Sequence, residues 1–263
     1  MTPRLTGKIA VERIATFDIP RPSQDIIDAF RTIGCDTSMV SDVMDKLGLF
    51  GAIAASKLQP TIHGQPIVGP AVTVRHEPLR GDGNPNQRAA SGFNGMAEME
   101  AHNLAKPGDV VVIQGVAGLS NMGGVSSTIA HRQGVVGAIV DGGIRDLNLS
   151  REIGFPKWAT EVTPVTGKWR VQTTEINGPV SICGLRVNPG DLIVADDTGG
   201  CVAPLEPARS PTAVSRCSSW RPAASRLCAQ VRTLRTCPRP DLFAYAPPAS
   251  HSSDGRRIFY RRS

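Results

Sequence analysis

GVAGLSNMGGVSSTIAHRQGVVGAIVDGGIRD, residues 115–146, sets two glycine-rich turns around one helix and one strand. Ser126 to Gln133 reads as the helix. Val135 to Val140 is a short apolar run of the kind buried on both faces of a sheet. The first turn, Gly123-Gly124, feeds the helix. The backbone N–H groups of Gly124, Val125 and Ser126 have no partner inside it and can face a carboxylate or phosphate at its positive end. The second turn, Asp141-Gly142-Gly143, delivers Arg145 and Asp146 to the C-terminal edge of the strand, where α/β sheets bind ligands. A guanidinium there can fork onto a carboxylate, and the neighbouring carboxylate can hold a hard cation. Asp141 itself reads as a turn former, and His131 as a packed or solvent-facing residue rather than a ligand. The glycines do not make a dinucleotide fingerprint, because no acidic residue follows at the matching spacing.

Outward from this stretch, Pro107-Gly108-Asp109 turns into the apolar run Val110 to Ile113, and Pro189-Gly190-Asp191 turns into Leu192 to Ala195. The repeated pattern predicts two strands in related positions of one sheet. Val68 to Val74 is rich in β-branched residues and predicts a third. Helices are expected over 22–48, where Thr37 or Ser38 could cap the second of two, over about 91–105, and from Leu147 to Ile153 ending at Gly154. Arg80 to Gln87 reads as a loop. Strands alternating with helices predict an α/β protein with one main domain over residues 1–207.

The chain has 263 residues and a formal net charge of +6, which suggests nucleic-acid binding until the charge is located. Residues 208–263 hold eleven arginines, no lysine and two acids, a net of +9 that leaves residues 1–207 at about −3. The body is mildly acidic, and the tail lacks the aromatic spacing of a nucleic-acid binder. Its Arg, Ser, Pro, Ala and Cys content, with no sustained amphipathic period, predicts disorder and resembles an out-of-frame reading of GC-rich coding sequence. Six cysteines without a CxxC pair or zinc spacing point to reduced thiols. No uninterrupted apolar segment suits a signal or a membrane span, so a cytoplasmic protein without membrane partners is expected.

GDVVVIQG at 108–115, the glycine turn at 123–124, AHRQGVVGAIVDGGIRD at 130–146 and GFPKWA at 154–159 together resemble the RraA-like family. That family contains 4-hydroxy-4-methyl-2-oxoglutarate aldolases and the regulator of ribonuclease E activity A. Thr37 to Gly48 and Ile67 to Thr73 extend the resemblance, which covers about residues 35–205. It implies a β/β/α swivelling-domain fold and a homotrimer with sites between subunits. It also implies a lyase that uses Mg²⁺ or Mn²⁺ to cleave a C–C bond of a small 2-oxo acid, with oxaloacetate decarboxylation beside aldol cleavage.

In such a site Arg145 would hold the pyruvyl carboxylate and Asp146 would ligate the metal, while Gly123, Gly124, Val125 and Ser126 would form the substrate cradle. The chain departs from the family pattern at one position. A carboxylate separated from the Arg-Asp pair by twenty intervening residues is expected, and Gly124 stands there. The resemblance also implies a C-terminal helical region supplying an acidic residue to the neighbouring subunit, for which residues 208–263 show no equivalent. The alternative is a non-catalytic regulator that binds ribonuclease E or another protein, which would need no complete metal site.

Overall fold

In the computed structural model, residues 5–81, 84–205, 226–227, 229–231 and 233 are described. Among them, the strands in chain order are β1 (Ala52–Ala54), β2 (Gln59–Pro60), β3 (Ile67–Pro78), β4 (Val110–Gln114), β5 (Ser120–Met122), β6 (Gly137–Ile144), β7 (Lys157–Val162), β8 (Val171–Ile176), β9 (Val180–Ile182), β10 (Leu185–Val187), β11 (Leu192–Asp196) and β12 (Gly199–Ala203). The helices are α1 (Gln24–Thr32), α2 (Thr37–Lys46), α3 (Pro85–Ala90), α4 (Glu98–Leu104), α5 (Gly124–Arg132) and α6 (Leu147–Glu152), preceded by a short 3₁₀ turn at Val11–Arg13.

One mixed ten-stranded sheet runs β1-β12-β11-β3-β4-β6-β7-β2, with β5 added beside β6 and β8 beside β3; β9 and β10 pair separately. The two strands that follow a PGD turn flank β3 on its two sides, β4 parallel and β11 antiparallel. Side chains alternate across the sheet because a strand's period is two. Val111 and Ile113 of β4 enter the core with Ala101, Ala130 and Phe155, under α4 and α5. Val110 and Val112 enter a second core with Ile182, Val187 and Trp158, under the β9–β10 hairpin. Burial on both faces explains why β4 reads as an unbroken apolar run. A third core packs Phe30, Val40 and Met44 of α1 and α2 on Val194 and Cys201.

Several local expectations change. Asp36, not Thr37 or Ser38, caps α2, its carboxylate accepting from the N–H groups of Ser38 and Met39. The helix expected over 91–105 is shorter, α4 from Glu98 to Leu104, and α3 lies ahead of it. Asn84 and Gln87 form a capping box with Pro85 at the first position of α3, so a helical turn stands in what read as the 80–87 loop. Asp141 lies within β6 rather than in a turn, its Oδ2 accepting from the Cys183 N–H at 2.6 Å.

Most of residues 208–263 lies outside the described residues, and the expectations of disorder and of a shifted frame fall there. The described positions from 226 to 233 are helical, and Leu227 and Val231 are buried in the third core. No helix among the described residues is long and apolar enough to cross a membrane.

Candidate functional site

The two glycine turns meet because β5 pairs in parallel with the end of β6, Ser120 opposite Gly143 and Met122 opposite Ile144. That register sets Gly123-Gly124, which opens α5, beside Arg145-Asp146, which follows β6. The strand bends there. Gly143 has no room for a side chain, because an added Cβ would lie 2.5 Å from the Leu119 carbonyl oxygen. Asn121, fully buried, braces the preceding loop: its amide donates to the carbonyls of Val116 (3.0 Å) and Leu119 (2.8 Å), and its Oδ1 accepts from the Val116 N–H (2.9 Å). Nothing in its sequence context marked Asn121.

Asp146 adopts a left-handed backbone, φ 57° and ψ 45°, at the head of α6. Aspartate tolerates this conformation better than most residues, and the surroundings hold it. Its Oδ2 accepts the Gly124 N–H at 2.8 Å, and the Arg145 carbonyl accepts from the buried Lys157 ammonium at 3.3 Å. Burial lowers the Lys157 pKa to about 8, against the opposing charge of Asp146. Arg145 Nε lies 3.6 Å from Asp146 Oδ2, with the Asp146 side chain 47% exposed. The structure therefore brings Gly123, Gly124, Arg145 and Asp146 together. It also changes the cradle: the Gly124 N–H is taken by Asp146, so Val125 and Ser126 keep the free first-turn N–H groups.

These residues line an open cleft of about 270 Å³ whose other walls include Lys8, Glu98, Thr166 and Lys168. Sequence reading singled out none of the four. Lys8 is positioned from below, because Glu100 accepts the N–H groups of Thr6 (2.8 Å) and Lys8 (3.2 Å). Glu98 lies at the cleft floor, 6% exposed, and its Oε2 has no hydrogen-bond partner among the described residues. Burial raises its pKa, against hydrogen bonds from its own N–H and Ser126 and the charges of Lys8 and Lys168. The Ser126 hydroxyl is not turned outward: it lies 2.8 Å from Nε2 of His102. His102 and His76 are both buried, and desolvation lowers each to about 4, so both are neutral at pH 7.

Among the described residues no three His, Cys, Asp or Glu side chains converge as a metal cage. Position 124 has no carboxylate and little space for one. A Cβ there would lie 2.6 Å from Leu149 Cδ2 and 3.1 Å from Asp146 Cβ. The cleft thus gathers three cationic side chains (Lys8, Arg145, Lys168) and a helix N-terminus around one ionisable rim carboxylate, Asp146, and one buried carboxyl, Glu98. That arrangement suits a small anion bearing two carboxylates.

Residues 37–202 match a family described as Aldolase/RraA, the RraA-like proteins. Over 182 residues the chain is 35% identical to a protein of Halalkalibacterium halodurans named "Putative 4-hydroxy-4-methyl-2-oxoglutarate aldolase", covering 68% of this chain and 77% of that one. Over 200 residues it is 29% identical to Protein DlpA of Legionella pneumophila, covering 70% of this chain and 30% of that protein, so it spans under a third of DlpA. The structure of RraAS2 of Streptomyces coelicolor, titled an unusual member of the RNase ES inhibitor RraA protein family, superposes with a TM-score of 0.61. The identity is 24%, over 82% of this chain and 94% of that one, a likeness of fold. With a mixed α/β sheet in one domain and a family match over most of its length, the chain belongs to the RraA-like family.

Proposed function

We propose that the cleft is the active site of a divalent-metal-dependent lyase that breaks a C–C bond of a small 2-oxo dicarboxylate, 4-hydroxy-4-methyl-2-oxoglutarate or oxaloacetate. The observation that carries this reading is the convergence of Arg145, Asp146 and the N-terminus of α5 in a cleft flanked by Lys8 and Lys168. An aldolase-named relative supports the reaction class. Arg145 forks onto the carboxylate next to the 2-oxo group, and the N–H groups of Val125 and Ser126 take a remaining oxygen. Lys8 and Lys168 attract the distal carboxylate.

The donor set suits Mg²⁺ or Mn²⁺ held by one carboxylate, with water and substrate completing the shell, rather than a preformed cage. Asp146 is the holding residue, since its Oδ1 has no hydrogen bond among the described residues while Oδ2 is engaged by Gly124. Such a cation, when bound, supplies Lewis-acid stabilisation of the charge left on the substrate as the bond breaks. We also propose assembly as a homotrimer, for which exposed apolar Val125 and Leu149 near the cleft supply sticky surface.

The test is pyruvate release from each substrate, with EDTA and with added Mg²⁺. No release from either substrate in the presence of Mg²⁺ would move the reading to a regulator that binds another protein, which the missing carboxylate at position 124 favours.

A further inference from the structure

Glu98 lines the cleft with a buried carboxyl whose presence neither packing nor substrate charge accounts for. An apolar side chain would fill the floor equally well, and a buried carboxyl oxygen without a partner is unfavourable. It persists in a cleft that lacks the carboxylate expected at 124, where Leu149 occupies the space a side chain would need. The two features are complementary. A carboxylate cannot enter from α5 without displacing Leu149, but one already enters from α4, across the same cleft.

We propose that Glu98 is the proton-transfer residue of this site, a role that rests on the reading of the cleft as a 2-oxo acid site. In decarboxylation of oxaloacetate the C3–C4 bond breaks, its electron pair passes to the C2–C3 enolate, and C4 leaves as CO₂. The Glu98 carboxyl then gives its proton to C3, the C2 carbonyl re-forms, and water restores the proton to Glu98. In aldol cleavage the Glu98 carboxylate takes the proton of the 4-hydroxyl, C4 becomes a carbonyl as the C3–C4 pair passes to the enolate, and the same proton is returned to C3. Both halves need a carboxyl that titrates close to working pH, which burial favours and Lys8 and Lys168 limit. His102 and His76, which face the same region from α4 and β3, are too strongly desolvated to share the work. Arg145 and Asp146 face it from the end of β6.

The reverse half-reaction isolates this step. Pyruvate in D₂O with Mg²⁺ exchanges its methyl protons only if a base removes them, and proton NMR follows the loss, while saturation transfer reports pyruvate binding. Wild type is expected to exchange, at a rate that rises with pH to a plateau above the ordinary carboxylate range. Glu98→Gln is expected to bind pyruvate but exchange about 10²–10⁴-fold more slowly, with Glu98→Asp in between. Exchange by Glu98→Gln at the wild-type rate would overturn the role of Glu98 and leave the site intact. If Glu98→Gln does not fold, the wild-type profile decides: a midpoint in the ordinary carboxylate range, or no pH dependence, overturns the proposal. Failure of wild type to bind pyruvate removes the site reading and the role of Glu98 together.

Discussion

The third core and the ground beneath the cleft are built from opposite materials. Under α1 and α2, Phe30, Val40, Val43 and Met44 are at most 1% exposed and meet Leu192, Val194 and Ala203, with no charged side chain among them. Under the cleft, Glu98, Glu100, His102, His76 and Asn121 are buried within one region, and three of their atoms, Glu98 Oε2, His102 Nδ1 and His76 Nε2, lack partners among the described residues. The apolar region supplies stability without reactivity. The polar region gives up stability to keep ionisable groups dry, which is how enzyme sites shift their acids and bases. The comparison predicts that substitutions in the two regions separate, one moving stability and the other moving turnover.

The largest effect is expected at the cleft rim. Asp146→Ala removes both the proposed cation ligand and the acceptor of the Gly124 N–H, and should abolish Mg²⁺-dependent pyruvate release at a cost of about 1–2 kcal/mol in stability, from the lost acceptor and the left-handed backbone. Wild-type turnover in this variant would refute the metal assignment. Arg145→Lys replaces a fork by a point charge and should raise KM about tenfold with a smaller change in kcat. Next comes the apolar region. Phe30→Ala should cost about 3–5 kcal/mol in urea unfolding, with kcat per folded molecule unchanged. A proportional loss of kcat would mean that the two regions are coupled.

How much of this was legible depends on the range of the interaction. Turn chemistry and apolar runs are local, so Gly154 as the end of α6, the strands after both PGD turns and the pairing of Arg145 with Asp146 could all be read from short windows. Gly154 indeed takes a positive φ of 68°. Long-range positions could not. Glu98 and Lys168 are seventy residues apart, and Lys8 reaches the cleft only because Glu100 holds the backbone at Thr6 and Lys8. Asp141 was misread because Asp-Gly is a turn signal by itself, whereas β6 here continues through it with its carboxylate engaged by Cys183. The helix after Gly123-Gly124 opens at Gly124 rather than Ser126, and the Gly124 N–H is taken by Asp146, a contact across 22 positions.

A smaller effect is expected at buried Lys157, which donates to the Arg145 carbonyl behind the cleft rim. Its pKa falls from 10.5 unfolded to about 8 folded, so between those values the unfolded chain binds more protons and stability rises with pH. Below pH 8 the shift opposes folding by roughly 3 kcal/mol, partly offset by the bond from Nζ to the Arg145 carbonyl. Lys157→Met should therefore be more stable than wild type by about 1–2 kcal/mol at pH 7, and the gap should close by pH 10. A gap independent of pH would mean that Lys157 is not desolvated as its burial indicates. If the bond to Arg145 also positions the Asp146 turn, KM for oxaloacetate rises in the same variant.

The smallest and most discriminating effect is expected at Gly124. Its φ is not in the left-handed region, so the backbone accepts a side chain, and the first turn of α5 favours a negative charge. The obstacle is Leu149, whose Cδ2 would sit 2.6 Å from the new Cβ but is the movable end of a side chain 37% exposed as a residue. Gly124→Asp should fold, at a cost of about 1 kcal/mol or less, and Gly124→Asp with Leu149→Ala should recover part of that cost. The new carboxylate would also lie beside that of Asp146, which strengthens a divalent cation site while disfavouring an empty one, so the Mg²⁺ concentration for half-maximal activity should fall. If proton transfer belongs to Glu98, the ratio of aldol cleavage to decarboxylation should change by no more than about tenfold. A rise of 10² or more, the range a positioned base supplies, would show instead that the cleft lacked its base until position 124 provided one. Circular dichroism and matched Mg²⁺ titrations on both substrates decide between the two.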